Sequence, residues 1–134
     1  MVDIKLIGSR LNKISAYRNI SFSGEVKLKT NLKFNSIEKV KDRKDSLEVK
    51  YSFEVDYGDL GNIFLEGSAF ISSDPKIIKE LSKSWESKKF DSEEHLILTN
   101  LIVQKISMKA FALEDELALP THIRLPQLQI KSRD

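Results

Sequence analysis

The sequence predicts an α+β domain, with an antiparallel sheet packed by one long helix and an extended, proline-bearing strap at the C-terminal end. Three observations carry that prediction. Apolar and polar residues alternate strictly from Leu47 to Tyr57. Apolar residues crowd the segment from Asp91 to about Leu117, and two prolines six apart punctuate Leu119 to Ile130. The 134 residues read as a single domain, 1–134, by the usual size of an independent core.

The first twenty residues read two ways. Ile7, Leu11, Ile14 and Arg18 keep helical spacing, whereas Ala16 to Phe22 reads as an edge strand. Val26, Leu28, Leu32 and Phe34 then share one parity, with Lys27, Lys29 and Lys33 between them, which predicts an amphipathic strand preceded by Gly24. Residues 40–46 form a charged turn. In the strand 47–57 every odd position is apolar or aromatic, so one face lies on a core and the other in water. Gly58 to Asn62 supplies turn residues, and 63–71 returns as the second arm of a hairpin. On that arm Ile63, Leu65, Ala69 and Ile71 share a face, and Phe64 and Phe70 take the other.

Ser73-Asp74-Pro75 is a helix start, with Asp as N-cap and Pro in the first turn; Ile77, Ile78, Leu81 and Trp85 form its apolar stripe. Ser87-Lys88-Lys89 ends it. A second helix begins at Asp91, spaced to Glu94 as in a capping box, and runs to about Leu117. Its first half is apolar almost all the way round, which requires cover on every side. Two readings account for it, a deeply packed core helix or an oligomer seam. The prolines at 120 and 126 then exclude helix from the tail, which reads as an apolar strap lying on something.

Composition removes several chemistries. With no Cys there are no disulfides, thiolate metal sites or thiol nucleophiles, and the chain suits a reducing cytosol. Asp3 and Lys5 interrupt any N-terminal signal core, and the apolar run 96–103 is far short of the roughly 20 residues that span a bilayer. A soluble, cytoplasmic protein is expected. Lys and Arg number 22 against 20 Asp and Glu, a mixed balance rather than a nucleic-acid footprint. His95 and His122, the two histidines, stand in no metal-ligand frame, and His95 reads as part of a solvated helix cap. Residue order leaves a Ser–His–Asp triad open, but no serine lies in a GxSxG elbow. No phosphate-binding glycine loop occurs. Gly58 to Gly61 matches the GxxG of KH domains, yet it joins two strands and carries Asp59. No catalytic residue, metal or cofactor is expected, and no nucleic acid or membrane insertion.

Three segments together resemble the SecB export-chaperone family. Tyr17-Arg18-Asn19-Ile20-Ser21-Phe22 looks like that family's opening strand, followed by Glu25-Val26-Lys27-Leu28. The hairpin 47–71 ends in Gly67-Ser68-Ala69-Phe70-Ile71, and a long helix leads into the proline strap. The resemblance spans roughly residues 16–130. It implies a four-stranded antiparallel sheet with helices across one face, assembly as a dimer or a dimer of dimers, and ATP-independent binding of non-native polypeptides in apolar grooves. Carried onto matching positions, the groove residues are Phe22, Phe70, Leu119, Pro120, Ile123, Leu125, Pro126 and Leu128. The subunit seam is expected at Leu98, Leu101, Ile102 and Ile106.

The chain departs from the family in three respects. It is mildly basic where SecB is typically acidic, it ends at Asp134 where SecB continues into a further helix, and the helix 75–87 has no place in the pattern. These departures weaken an expectation of docking to a translocation motor and favour a general holdase or a partner of a toxin–antitoxin pair. A non-catalytic adaptor with one dedicated protein partner is the competing reading. A weak nucleic-acid module would rest only on Lys27, Lys29, Lys33, Lys41, Arg43 and Lys44.

Overall fold

The computed structural model describes residues 3–122. Four strands, β1 (Ile4–Arg18), β2 (Lys29–Lys39), β3 (Ser46–Asp56) and β4 (Gly61–Ser73), form one antiparallel sheet in the order β1-β4-β3-β2. Two helices follow, α1 (Pro75–Ser87) and α2 (Glu93–Leu117). The four-stranded sheet with helices on one face is the α+β architecture expected.

The hairpin β3–β4 matches its sequence pattern residue for residue. Leu47, Val49, Phe53 and Val55 pair with Ile71, Ala69, Leu65 and Ile63, and all eight are buried. Ile78 and Leu81 of α1 and Leu98, Ile102, Ile106 and Ala110 of α2 close over that face. The other face carries Phe64 and Phe70, each under a cation: Lys13 Nζ and Arg10 Cζ both lie 5.5 Å from the ring centres.

Residues 4–18 settle as strand, and bulges explain why periodicity gave two answers. The register slips at Ile7 and again at Asn12, so the positions sharing the helix-side face run 4, 6, 9, 11, 14, 16. Two steps of three within a period of two imitate helical spacing. Gly67 makes room for the second slip: a Cβ there would lie 2.2 Å from the Arg10 carbonyl oxygen. The strand expected from Val26 begins instead at Lys29 and runs on to Lys39, with a bulge at Asn35 that moves the buried parity from Leu32 and Phe34 to Ile37. Val26 and Leu28 pack on the core from the connection that carries the chain from one sheet edge to the other.

Asp74 caps α1 as its sequence predicts, accepting from the Lys76 N–H at 3.1 Å. The cap of α2 is Ser92 rather than Asp91; Ser92 has extended backbone angles and its hydroxyl accepts from the His95 N–H at 3.1 Å. By length and composition alone α2 is long and apolar enough to cross a bilayer, a test that core helices also pass. Here its stripe from Leu98 to Ala110 is taken up by the sheet. It crosses the sheet obliquely, with His95 against Phe34 on β2 at one end. At the other, Arg18 of β1 donates to the carbonyls of Leu117 and Ala118.

Candidate functional site

Where α1 ends, α2 begins and β2 passes beneath, four aromatic rings form a continuous surface. Trp85 of α1 sits 5.8 Å from Phe90 in the interhelical turn, Phe90 stacks on His95 at 4.9 Å, and His95 meets Phe34 edge-on at 5.3 Å. The chain reverses between Ser87 and Ser92, which brings residues five apart in sequence onto one wall. Lys88, in the left-handed conformation that ends α1, holds its Nζ 4.3 Å over the Trp85 ring. With Leu32, Lys33 and Thr99 these residues line an open cleft of about 430 Å³. Its volume is in the range of small-molecule and side-chain pockets. Phe90 is 44% exposed at its mouth, a large apolar surface left in water.

His95 is buried, not the solvated cap its first-turn position suggested. Burial lowers its pKa, so the neutral ring is favoured and the wall stays uncharged. The stripe Leu98–Ile102–Ile106–Ala110, extended one turn backwards, lands on His95; that was the legible signal. Phe90 had none, since it sits between two helices in a charged stretch.

The residues carried over from the resemblance do not gather in one place. Phe70 lies on the sheet face opposite the helices, half-buried, while Phe22 packs on the core. Leu119 is buried in that core and Pro120 is exposed. Ile123, Leu125, Pro126 and Leu128 lie outside the described residues. Of the expected seam, Leu98, Ile102 and Ile106 are covered by the chain's own sheet, because α2 turns them towards it, and only Leu101 is partly open.

The far end of α2 carries a second polar constellation. His122 Nδ1 lies 3.0 Å from Glu114 Oε1, and its Nε2 lies 3.0 Å from Ser107 Oγ. The Tyr57 hydroxyl donates to Glu114 and lies 2.9 Å from the Pro120 carbonyl oxygen. Burial first, and then the Glu114 carboxylate, push the Tyr57 pKa up and keep the phenol protonated. Ser107, His122 and Glu114 have the contacts of a Ser–His–carboxylate triad without its access. Ser107 is buried in mid-helix, where backbone N–H groups are committed to carbonyls four residues back and no oxyanion hole can form. The arrangement is a clamp. It ties the segment after α2, at Pro120 and His122, to α2 and, through Phe53 and Tyr57, to the end of β3. No group of three or more metal-binding side chains occurs among the described residues.

These features define a sheet-and-helix domain with an aromatic cleft and a clamped C-terminal root. No family model matches the chain, and no curated protein matches it. Among solved structures the fold is similar to the SecB-like chaperone Rv1957 of Mycobacterium tuberculosis, determined in complex with a ChAD peptide from the antitoxin HigA1. The two superpose with a TM-score of 0.56 at 13% identity, over 94% of this chain and 88% of that one. The fold is SecB-like.

Proposed function

We propose that this domain is an ATP-independent holdase that binds non-native polypeptide in the cleft between Trp85, Phe90, His95 and Phe34. The observation that carries the reading is an open aromatic wall, with Phe90 half in water, on a fold shared with a SecB-like chaperone. Apolar burial favours a bound segment by about 25 cal/mol per Å² and has no directional demand, so many client sequences are accepted. On this reading the protein works in the cytoplasm, without cofactor and without catalysis. Assembly into a dimer or tetramer is assigned to the solvent side of α2, where Leu96 and Met108 are 61% and 68% exposed, rather than to Leu98, Ile102 and Ile106.

The solved complex of the neighbour with an antitoxin peptide supports a second reading, a site fitted to one dedicated peptide. One experiment separates the two. Stoichiometric protein should suppress aggregation of several unrelated heat-unfolded clients, and Phe90→Ala should weaken that suppression about tenfold. Protection of none would sink the holdase reading, and saturable capture of a single partner would favour the dedicated one.

A further inference from the structure

We infer that the cleft takes its ligand as an added strand: an extended segment of alternating apolar and acidic residues pairs with the open edge of β2 over Thr30–Phe34. The inference rests on the holdase reading and specifies its substrate class.

β2 is the last strand of the sheet, and hydrogen-bond register fixes which of its backbone groups are free. The Val40 N–H bonds the Ser46 carbonyl at 3.2 Å, so even-numbered residues of β3 face β2. Odd ones face β4, as the bonds Tyr57 N–H to Gly61 O and Ser73 N–H to Asp45 O require along the same register. Followed across the bulge at Asn35, the closed pairs are Lys33 with Ser52, Asn31 with Glu54 and Lys29 with Asp56. Thr30, Leu32 and Phe34 therefore aim their N–H and C=O groups away from the sheet, and no backbone group of the described residues bonds them. Leu32 and Phe34 also line the aromatic cleft. A strand paired there would set every second side chain into the cleft beside Phe90 and His95.

The other side chains would lie on the opposite face, where strand parity puts Lys29 and Lys33, the latter also reaching the rim of the cleft. Both are exposed, and neither has a carboxylate within ion-pair distance among the described residues. Acidic residues directly across from them form favourable cross-strand pairs. Lys88 adds a third cation at the cleft mouth. The same charges argue against other occupants. Two β2 edges paired antiparallel about Asn31 would set Lys29 against Lys33, and about Leu32 would set them against Asn35 and Asn31 with no charge complement gained; the chain's last eleven residues carry three basic residues against one acidic.

The test uses the whole protein and its single tryptophan, Trp85, as the reporter. The probes are a synthetic peptide alternating Val or Phe with Glu, its Lys-for-Glu counterpart, a scramble of equal composition, and two forms N-methylated on one or the other set of alternate amides. The alternating acidic peptide should shift Trp85 fluorescence and bind about tenfold tighter than the basic one. One N-methylated set should abolish binding and the other leave it intact. The double variant Lys29→Glu/Lys33→Glu, confined to exposed side chains, should reverse the charge preference. Equal binding of all five peptides, with client aggregation still suppressed, would overturn strand addition and leave the holdase reading standing. No fluorescence response together with no suppression would overturn both.

Discussion

Each end of α2 has a histidine packed among aromatic rings, His95 in its first turn and His122 in the segment beyond its last, and the two ends are built for opposite tasks. At the first end His95 stacks on Phe90 and meets Phe34, has no polar partner for its ring among the described residues, and fronts an open cleft. At the last end His122 touches Phe53 and Phe111, but both ring nitrogens are engaged, by Glu114 and Ser107, and its side chain is 2% exposed. A ring that contacts rings alone leaves a surface available; a ring whose nitrogens are also satisfied closes one. Polar satisfaction, rather than aromatic content, distinguishes a site from a clamp.

The largest effect is expected at the closed end. Glu114→Ala removes the acceptor shared by Tyr57 and His122 and should cost about 1–3 kcal/mol of folding stability, read as a fall in Tm of several degrees. Tyr57→Phe should cost about 1 kcal/mol and, combined with Glu114→Ala, less than the sum. Additive losses would mean that the clamp is not one unit. The open end should show the reverse. Phe90→Ala is expected to change stability by no more than about 0.5 kcal/mol, because the ring is half in water, while client suppression drops. A stability loss as large as that of Glu114→Ala would make the cleft a piece of core and break the contrast.

The smallest effect is a pH slope. Burial holds the His95 pKa below its ordinary value of about 6.5, so below that pH the unfolded chain binds a proton that the folded chain refuses. Stability from this group is full above about pH 6.5 and is lost as pH falls towards the lower folded value. His95→Phe should flatten the fall of denaturant midpoints below about pH 6.5, by at most the slope of a single proton. An unchanged slope would assign it elsewhere.

The hairpin was legible because β3 is central, unbulged and wet on one face only, so its period of two survives in the sequence. β1 was not, because two slips scramble the period, and the space at Gly67 that admits one of them belongs to a different strand. The all-round apolarity of α2 belongs to a helix that crosses the sheet obliquely, so its buried stripe winds around it from His95 to Glu114. Leu96 and Met108 remain in solvent. The cleft is not legible in the sequence for a geometric reason. Its residues come from one strand, two helices and the turn between them, and no spacing in the chain encodes their meeting. Phe22, Phe70 and Leu119 were apolar in the right order, but strand parity sends Phe70 to the sheet face away from the helices, while Phe22 and Leu119 pack on the core.

The strand order also dictates a timetable. Of the four strands β1 is made first, yet among the described residues its partner is β4, so Ile4 must wait for Ser73 and Arg18 for Gly61. During synthesis the meander of β2, β3 and β4 can close through short connections while β1 trails unpaired, and pairs that far apart in sequence form late. An unpaired strand left waiting is an aggregation hazard. The features that hid β1 from periodicity, its two bulges and its Lys5, Arg10, Lys13 and Arg18, are those that make it a poor template for a neighbouring nascent chain.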